Sequence, residues 1–175
     1  MRIIGGKYRR RLIHYYVTPS IRASKDRVRE AIFNALGQDV EGEVLDLFSG
    51  FGGYGLEALS RGANFVTFID HDESGINELK KTIFDVKIPN SDYQIIKGDY
   101  SLVYSLDKKF DYIFIDPPYA FKNYEQLITR LYNNFLNSGG KMIIESDHSL
   151  SFDFLNENKT RRYLHRPAHI LIIEK

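Results

Sequence analysis

Residues 43–70 read EVLDLFSGFGGYGLEALSRGANFVTFID. A short apolar run at 43–47 enters a glycine-rich loop. Residues 54–61 then carry helix-forming side chains up to Gly62, and a second apolar run fills 65–70. Strand, loop, helix and strand in that order make a βαβ unit. Both runs are apolar on successive residues rather than alternate ones, so the strands are covered on both faces, as in a parallel sheet packed between helices. Within the loop, Gly50, Gly52 and Gly55 form a G-x-G-x-x-G at the mouth of the helix. That pattern allows a tight turn and close approach of backbone to a ligand, and the helix start adds free N–H groups and a positive dipole end. By itself it fits a dinucleotide, S-adenosylmethionine or a plain turn.

The same alternation continues outward. Helical spacing at Ile76, Leu79, Ile83 and Val86 predicts a helix over 75–86, and residues 93–97 and 110–116 read as strands. Tyr124, Leu127, Ile128, Leu131 and Phe135 share one face of a helix over 123–136. A strand at 141–145 follows, then a closing antiparallel pair at 161–165 and 170–174, with 149–157 open to either reading. Upstream, Val28, Ile32 and Leu36 recur at a spacing of four in a helix that Ser24 can cap and Gly37 ends. Residues 1–6 and 9–16 are short extended runs about a Gly-Gly break, which predicts a small hairpin. The expected fold is α/β, with a seven-stranded, mostly parallel sheet, helices on both faces and a small N-terminal β-hairpin extension. It forms one domain over 1–175, with residues 1–23 as a basic arm.

In such folds ligands lie beyond the carboxyl ends of the strands. Four consecutive strand ends carry chemistry here. The first ends in Asp46, followed by Phe48, Ser49 and the glycines. The second ends in Asp70, followed by His71, Asp72 and Glu73. A carboxylate at that point can accept the hydroxyls of an adenosine ribose, although it also suits the start of a helix. Gly98, Asp99 and Tyr100 close the third strand. Asp99 can accept from the adenine amine, or simply cap the next helix, and Tyr100 can pack on the ring.

The fourth strand ends in Asp116-Pro117-Pro118-Tyr119. Two prolines fix the backbone and remove two donors, leaving carbonyls to face outward. The exocyclic amine of a base is a poor nucleophile because its lone pair is delocalised into the ring. Asp116 and the Pro117 carbonyl can accept its two hydrogens and aim the lone pair at a methyl donor, while Tyr119 offers a stacking face. A sulfonium donor is electrophilic enough that the reaction requires no metal and no nucleophilic side chain, so no metal site is expected.

Bulk properties narrow the class. With 175 residues and no cysteine, there is neither a disulfide framework nor a thiolate site. No stretch reads as a signal or a membrane span, so a cytoplasmic protein is expected. Residues 1–30 hold nine lysines and arginines against two acids, while the remainder is net negative. A basic arm on an acidic body points to a polyanion, with the protection of an edge strand as the plainer account.

Taken together, these blocks resemble the bacterial 16S ribosomal RNA (guanine-N2)-methyltransferase family, whose fold is the class I S-adenosylmethionine-dependent Rossmann-like domain. The resemblance lies in Met1-Arg2-Ile3-Ile4-Gly5-Gly6-Lys7-Tyr8, in residues 22–34, in residues 46–63 and in the D-P-P-Y. The chain departs from the family's usual pattern at Ala23-Ser24, at Ser49 and Phe51, and at His165-Arg166-Pro167. The resemblance implies S-adenosylmethionine as cofactor, held by Asp46, Phe48, Ser49, Gly50, Gly52, Gly55, Asp70, His71, Gly98, Asp99 and Tyr100. It implies catalysis by Asp116, Pro117, Pro118 and Tyr119. The substrate would be a guanine of 16S rRNA in an assembled or partly assembled small subunit, met by a monomer. Lys7, Arg9, Arg10, Arg11, Arg22, Arg27 and Arg29 would hold its phosphates. Other readings explain less. A DNA or RNA adenine or cytosine amine methyltransferase shares the D-P-P-Y, but a DNA enzyme would need a target-recognition domain. A dinucleotide-dependent oxidoreductase leaves the D-P-P-Y unexplained, a protein-glutamine methyltransferase more usually has Asn at position 116, and a non-catalytic RNA-binding protein leaves all four strand ends to coincidence.

Overall fold

The inner strands of the central sheet send alternate side chains into two separate apolar layers, as the doubly apolar runs require. The computed structural model describes residues 1–16, 24–37 and 39–175. Its strands are β1 (Glu43–Leu47), β2 (Phe65–Asp70), β3 (Tyr93–Lys97), β4 (Phe110–Ile115), β5 (Leu136–Ser146), β6 (Thr160–His165) and β7 (Ala168–Glu174), in the order β3-β2-β1-β4-β5-β7-β6. All neighbours are parallel except β5–β7 and β6–β7.

On one face Val44, Val66, Phe68, Phe114, Ile143, Ile170 and Ile172 pack under α1 (Ser24–Leu36), α2 (Gly53–Ser60) and α3 (Glu73–Val86). On the other face Leu45, Leu47, Ile69, Ile113, Ile115, Ile144 and Ile173 meet α4 (Tyr124–Asn134), Val103, Leu150 and Phe152. Val28, Ile32 and Leu36 are buried, as their spacing predicts.

The boundaries of β1, β2 and β3 agree with expectation; β5 does not. It begins at Leu136, five residues before the expected start, and α4 stops at Asn134. Gly139 and Gly140 lie inside the added stretch of strand. The sheet accommodates them through a register shift between Phe110 and Tyr112 and through hydrogen bonds of both glycines to Lys175. Residues 149–156 form no helix or strand, and they bury Leu150 and Phe152 against α4.

The expected N-terminal hairpin reduces to one bridge, Arg2 opposite Leu12, with Ile3 and Ile13 donating to Arg11 and Met1 carbonyls at 3.0 Å. The strip is too short to stand alone, so it lies along α2 and α3. Glu57 of α2, fully buried, accepts the backbone N–H groups of Ile4 and Gly5 at 2.8 Å each. The same carboxylate takes Arg61 Nε at 2.8 Å and lies 3.5 Å from Arg29 Nε. Further along, His14 N–H donates to Thr82 Oγ1 at 2.8 Å, and its ring meets Asp85 at 2.7 Å.

Candidate active site

β1 and β4 are neighbours at the point where strand order reverses, and their carboxyl ends open a crevice there. The pairing of Leu47 with Ile115 sets the glycine loop directly beside Asp116. A cavity of about 320 Å³ results, within the range of small-molecule sites. Phe48, Ser49 and Gly50 form one wall and Asp116, Pro117, Pro118 and Tyr119 the other, with Phe51, Tyr54, Arg29, Tyr16 and Asp72 completing it.

Several expected cofactor residues stand behind this wall. Asp46, 2% exposed, accepts the Gly55 N–H at 2.8 Å and so caps α2 from the strand side. Gly52 adopts φ +76, the left-handed turn into the helix. Gly55 is a packing glycine, since a β-carbon there would stand 2.3 Å from Phe68 and 2.8 Å from Val66. Neither strand side chain has room to move, so Gly55→Ala should cost about 1–3 kcal/mol by overpacking. A thermal melt would read this as a lower midpoint, whereas an unchanged melt would mean that α2 is free to slide.

At the β2 end Asp70 accepts from Gly50 N–H and Asp72 N–H, both at 2.7 Å, and thereby ties the glycine loop to β2. His71 is exposed, 3.6 Å from Asp70. Asp72 is the acid that lines the cavity. It caps α3 through Ser74 and Gly75 and accepts the Tyr16 hydroxyl. That hydrogen bond pushes Tyr16 up to about 12 and holds Asp72 below its usual value. At the β3 end Gly98 N–H donates to the Asp70 carbonyl at 2.8 Å. Asp99 caps the 3-10 turn Tyr100–Ser105 through Ser101 N–H at 2.9 Å, and the Ser101 hydroxyl first, then this N–H, lower its pKa. Tyr100 stands outside the cavity wall but touches Phe48, 5.4 Å between ring centres.

The fourth strand end is as expected in placement. Asp116 is half-buried, Pro117 buried and Pro118 exposed, and Tyr119 is 56% exposed, its ring open to a partner. Sequence reasoning missed what supports them. Ile115 pairs with Ile144, so Glu145 leaves β5 next to Asp116. Glu145 accepts the Tyr54 hydroxyl at 2.6 Å. Burial, and then the charges of Glu145 and Asp116, push Tyr54 well above its ordinary value, so it stays a donor. Glu145 is a strand-end acid, a signal that would have found it. Tyr16 had none.

Phe51, bulky for a cofactor loop, packs edge-on against Tyr16 at 4.9 Å and Tyr15 at 6.3 Å. Among the expected RNA contacts, Lys7, Arg9, Arg10, Arg11 and Arg27 are exposed, and Arg22 lies outside the described residues. Arg29 is a correction. At 2% exposure it sits under the cavity and bonds Asp26 and the Arg2 carbonyl, so it offers no outer surface to RNA. Its apolar neighbours on α1, Val28 and Ile32, carry it inward.

Residues 1–165 match the model of the family described as conserved hypothetical protein 95. The ribosomal RNA small subunit methyltransferase D of Haemophilus influenzae is 35% identical over 152 residues, covering 84% of this chain and 79% of that one. The chain belongs to this family of ribosomal RNA methyltransferases. Among solved structures, the Escherichia coli methyltransferase candidate yhhF superposes with a TM-score of 0.82 at 26% identity, over 100% of this chain and 97% of that one. A methyltransferase candidate solved with S-adenosylhomocysteine shares the fold, with a TM-score of 0.66 at 15% identity, over 93% of this chain and 52% of that one. The fold is the class I methyltransferase fold, and the cofactor that the sequence resemblance implies for it is S-adenosylmethionine. The residues present fit such a ligand. Ser49 Oγ is buried with no hydrogen-bond partner among the described residues, and the open side of Gly50 has nothing within 4 Å of a β-carbon position. Both face the cavity.

Proposed function

We propose that the protein methylates the exocyclic N2 amine of a guanine in 16S rRNA, acting as a monomer in the cytoplasm on an assembled or partly assembled small subunit. The observation that carries this reading is the meeting of the glycine loop and Asp116-Pro117-Pro118-Tyr119 in one cavity, on adjacent parallel strands, in a chain of the ribosomal RNA methyltransferase family.

S-adenosylmethionine supplies an electrophilic methyl group on a sulfonium. The chain's own residues do the rest. Ser49, Gly50 and the start of α2 hold the cofactor, and the guanidinium of Arg29 under the cavity suits its carboxylate. Asp72, with Asp70 behind it, would accept from the ribose, and Phe48, backed by Tyr100, would offer a face to adenine. Asp116 and the Pro117 carbonyl accept the two amine hydrogens and fix the nitrogen's lone pair on the line of transfer. Tyr119 stacks on the flipped base. The proton released by the methylated amine passes to Asp116 or directly to water.

The test is methyl transfer from labelled cofactor to small ribosomal subunits that lack their own base methylation, with the label mapped by nuclease digestion. Label at N2 of one guanine in 16S rRNA is expected. Label on adenine or cytosine amines, or on DNA in preference to RNA, would overturn the guanine assignment.

A further inference from the structure

The basic tip of the N-terminal arm, Lys7 to Arg11, lies away from the catalytic mouth, although Met1 and Tyr16 at the arm's two ends line the cavity. Lys7 N–H donates to the Ser60 carbonyl, at the last residue of α2. An eight-residue helix measures about 12 Å, so the tip of the arm sits near the end of the sheet opposite Asp116.

Another cationic surface borders the mouth directly. β7 runs antiparallel to β5, and the pairing of Ser146 with His169 brings the β6–β7 turn to the same end of the sheet as Asp116 and Glu145. The rim between them is continuous. Phe121 and Tyr124 follow the D-P-P-Y with rings 5.1 Å apart, and Tyr124 meets His148 at 5.7 Å. Ser146 Oγ donates to the His148 carbonyl at 2.6 Å and stands 3.5 Å from the His169 carbonyl, which joins this rim to β7.

Residues 158–173 contain no Asp or Glu, but they hold Lys159, Arg161, Arg162, Arg166, His165 and His169. The four Lys and Arg residues are exposed, as are Tyr163 and Leu164. Arg162 is taken by Glu157 through two bonds of 2.7 and 3.1 Å. Arg166 stands at the rim, while Arg161 and Lys159 follow down the edge strand over about 20 Å. Arg161 also reaches the Ala35 carbonyl at 2.9 Å.

Edge protection alone does not explain this strand. The opposite edge, β3, carries a single cation, Lys97, paired with Glu73 at 2.8 Å, and is flanked by Asp92 and Asp99. One edge is mixed in charge, whereas the edge beside the mouth keeps Lys159, Arg161 and Arg166 beyond the one arginine that Glu157 takes.

We propose that the β6–β7 hairpin is a docking edge for RNA, in which Arg166, Arg161 and Lys159 hold phosphates of the strand that presents the target nucleotide and Tyr163 offers a stacking face. β6 lies three strand spacings, about 14 Å, from β4. Phosphates near a flipped base come within reach of Arg166 at that distance. The inference rests on the RNA-methylating reading above.

The test compares wild type with K159Q/R161Q/R166Q and with a charge-matched control, K80Q/K81Q/K97Q, on the other side of the molecule. Binding of small-subunit RNA is followed against salt, with S-adenosylhomocysteine affinity measured by calorimetry. Each lost phosphate contact flattens the log–log salt slope by about 0.7–0.9, so the hairpin variant should be shallower by about 2. Its KM for subunits should rise at least roughly tenfold on the same grounds, with cofactor affinity unchanged and the control like wild type. If wild type neither binds nor methylates the RNA, the functional reading fails. If wild type does both and the hairpin variant keeps its slope and KM, or the control changes as much, the docking edge is refuted.

Discussion

Asp116→Ala should abolish most methyl transfer while leaving S-adenosylhomocysteine affinity within a few-fold of wild type. Asp116 touches the reacting amine rather than the cofactor in the arrangement proposed. Losing one preorganised polar contact of this kind typically costs about 10²–10³ in rate. Single-turnover transfer to small subunits measures the first effect and calorimetry the second. Asp116→Asn sharpens the test. Asparagine keeps one acceptor oxygen for the amine but loses the carboxylate's charge, so its rate should fall between those of alanine and wild type. Wild-type turnover in either variant would remove Asp116 from the chemistry. Loss of cofactor binding in both would make it a residue of the cofactor site instead.

The second large effect lies away from the cavity. Glu57→Gln should destabilise the fold by about 3–5 kcal/mol, because removing one partner of a buried charged group leaves the others uncompensated. Arg29 and Arg61, with side chains only 3% and 7% exposed, would face a neutral amide. That amide can accept through one oxygen only, so one of the Ile4 and Gly5 N–H groups would be orphaned. For a domain of this size the melting midpoint should drop by roughly 10 °C. A melt within a degree or two of wild type would show that the arm is held by its apolar contacts at Ile3 and Ile13, not by the carboxylate.

The frame of the fold was legible because its strands are apolar on both faces and short. Periodicity alone delimited β1, β2 and β3. It failed where one side chain satisfied two patterns: Leu136 fits the end of the α4 stripe and also the start of β5, and only the pairing with Phe110 decides. For the site, the strand-end rule located Asp46, Asp70, Asp99 and Asp116 but could not grade them. Whether an acid faces a cavity or a backbone N–H depends on which side of the pleat it leaves. Asp46 and Asp70 turned toward the loop's own amides, and Asp72 turned toward the cavity. Tyr16, Tyr54 and Glu57 were illegible for another reason. Each acts through a contact more than fifty residues away in sequence, and no local pattern encodes such a partner.

That last property bears on how the chain assembles. The arm's hydrogen bonds reach residues 57, 60, 72, 82 and 85, over separations of 52 to 71 residues. During synthesis the arm leaves the ribosome before any of these exist, at about 5–20 residues per second. It cannot nucleate folding, because closing such long loops is costly until β1, α2, β2 and α3 offer a formed surface. The arm is therefore made before the surface that holds it, and docked late. For several seconds the most basic stretch of the protein is an unstructured polycation at the mouth of a particle built of RNA.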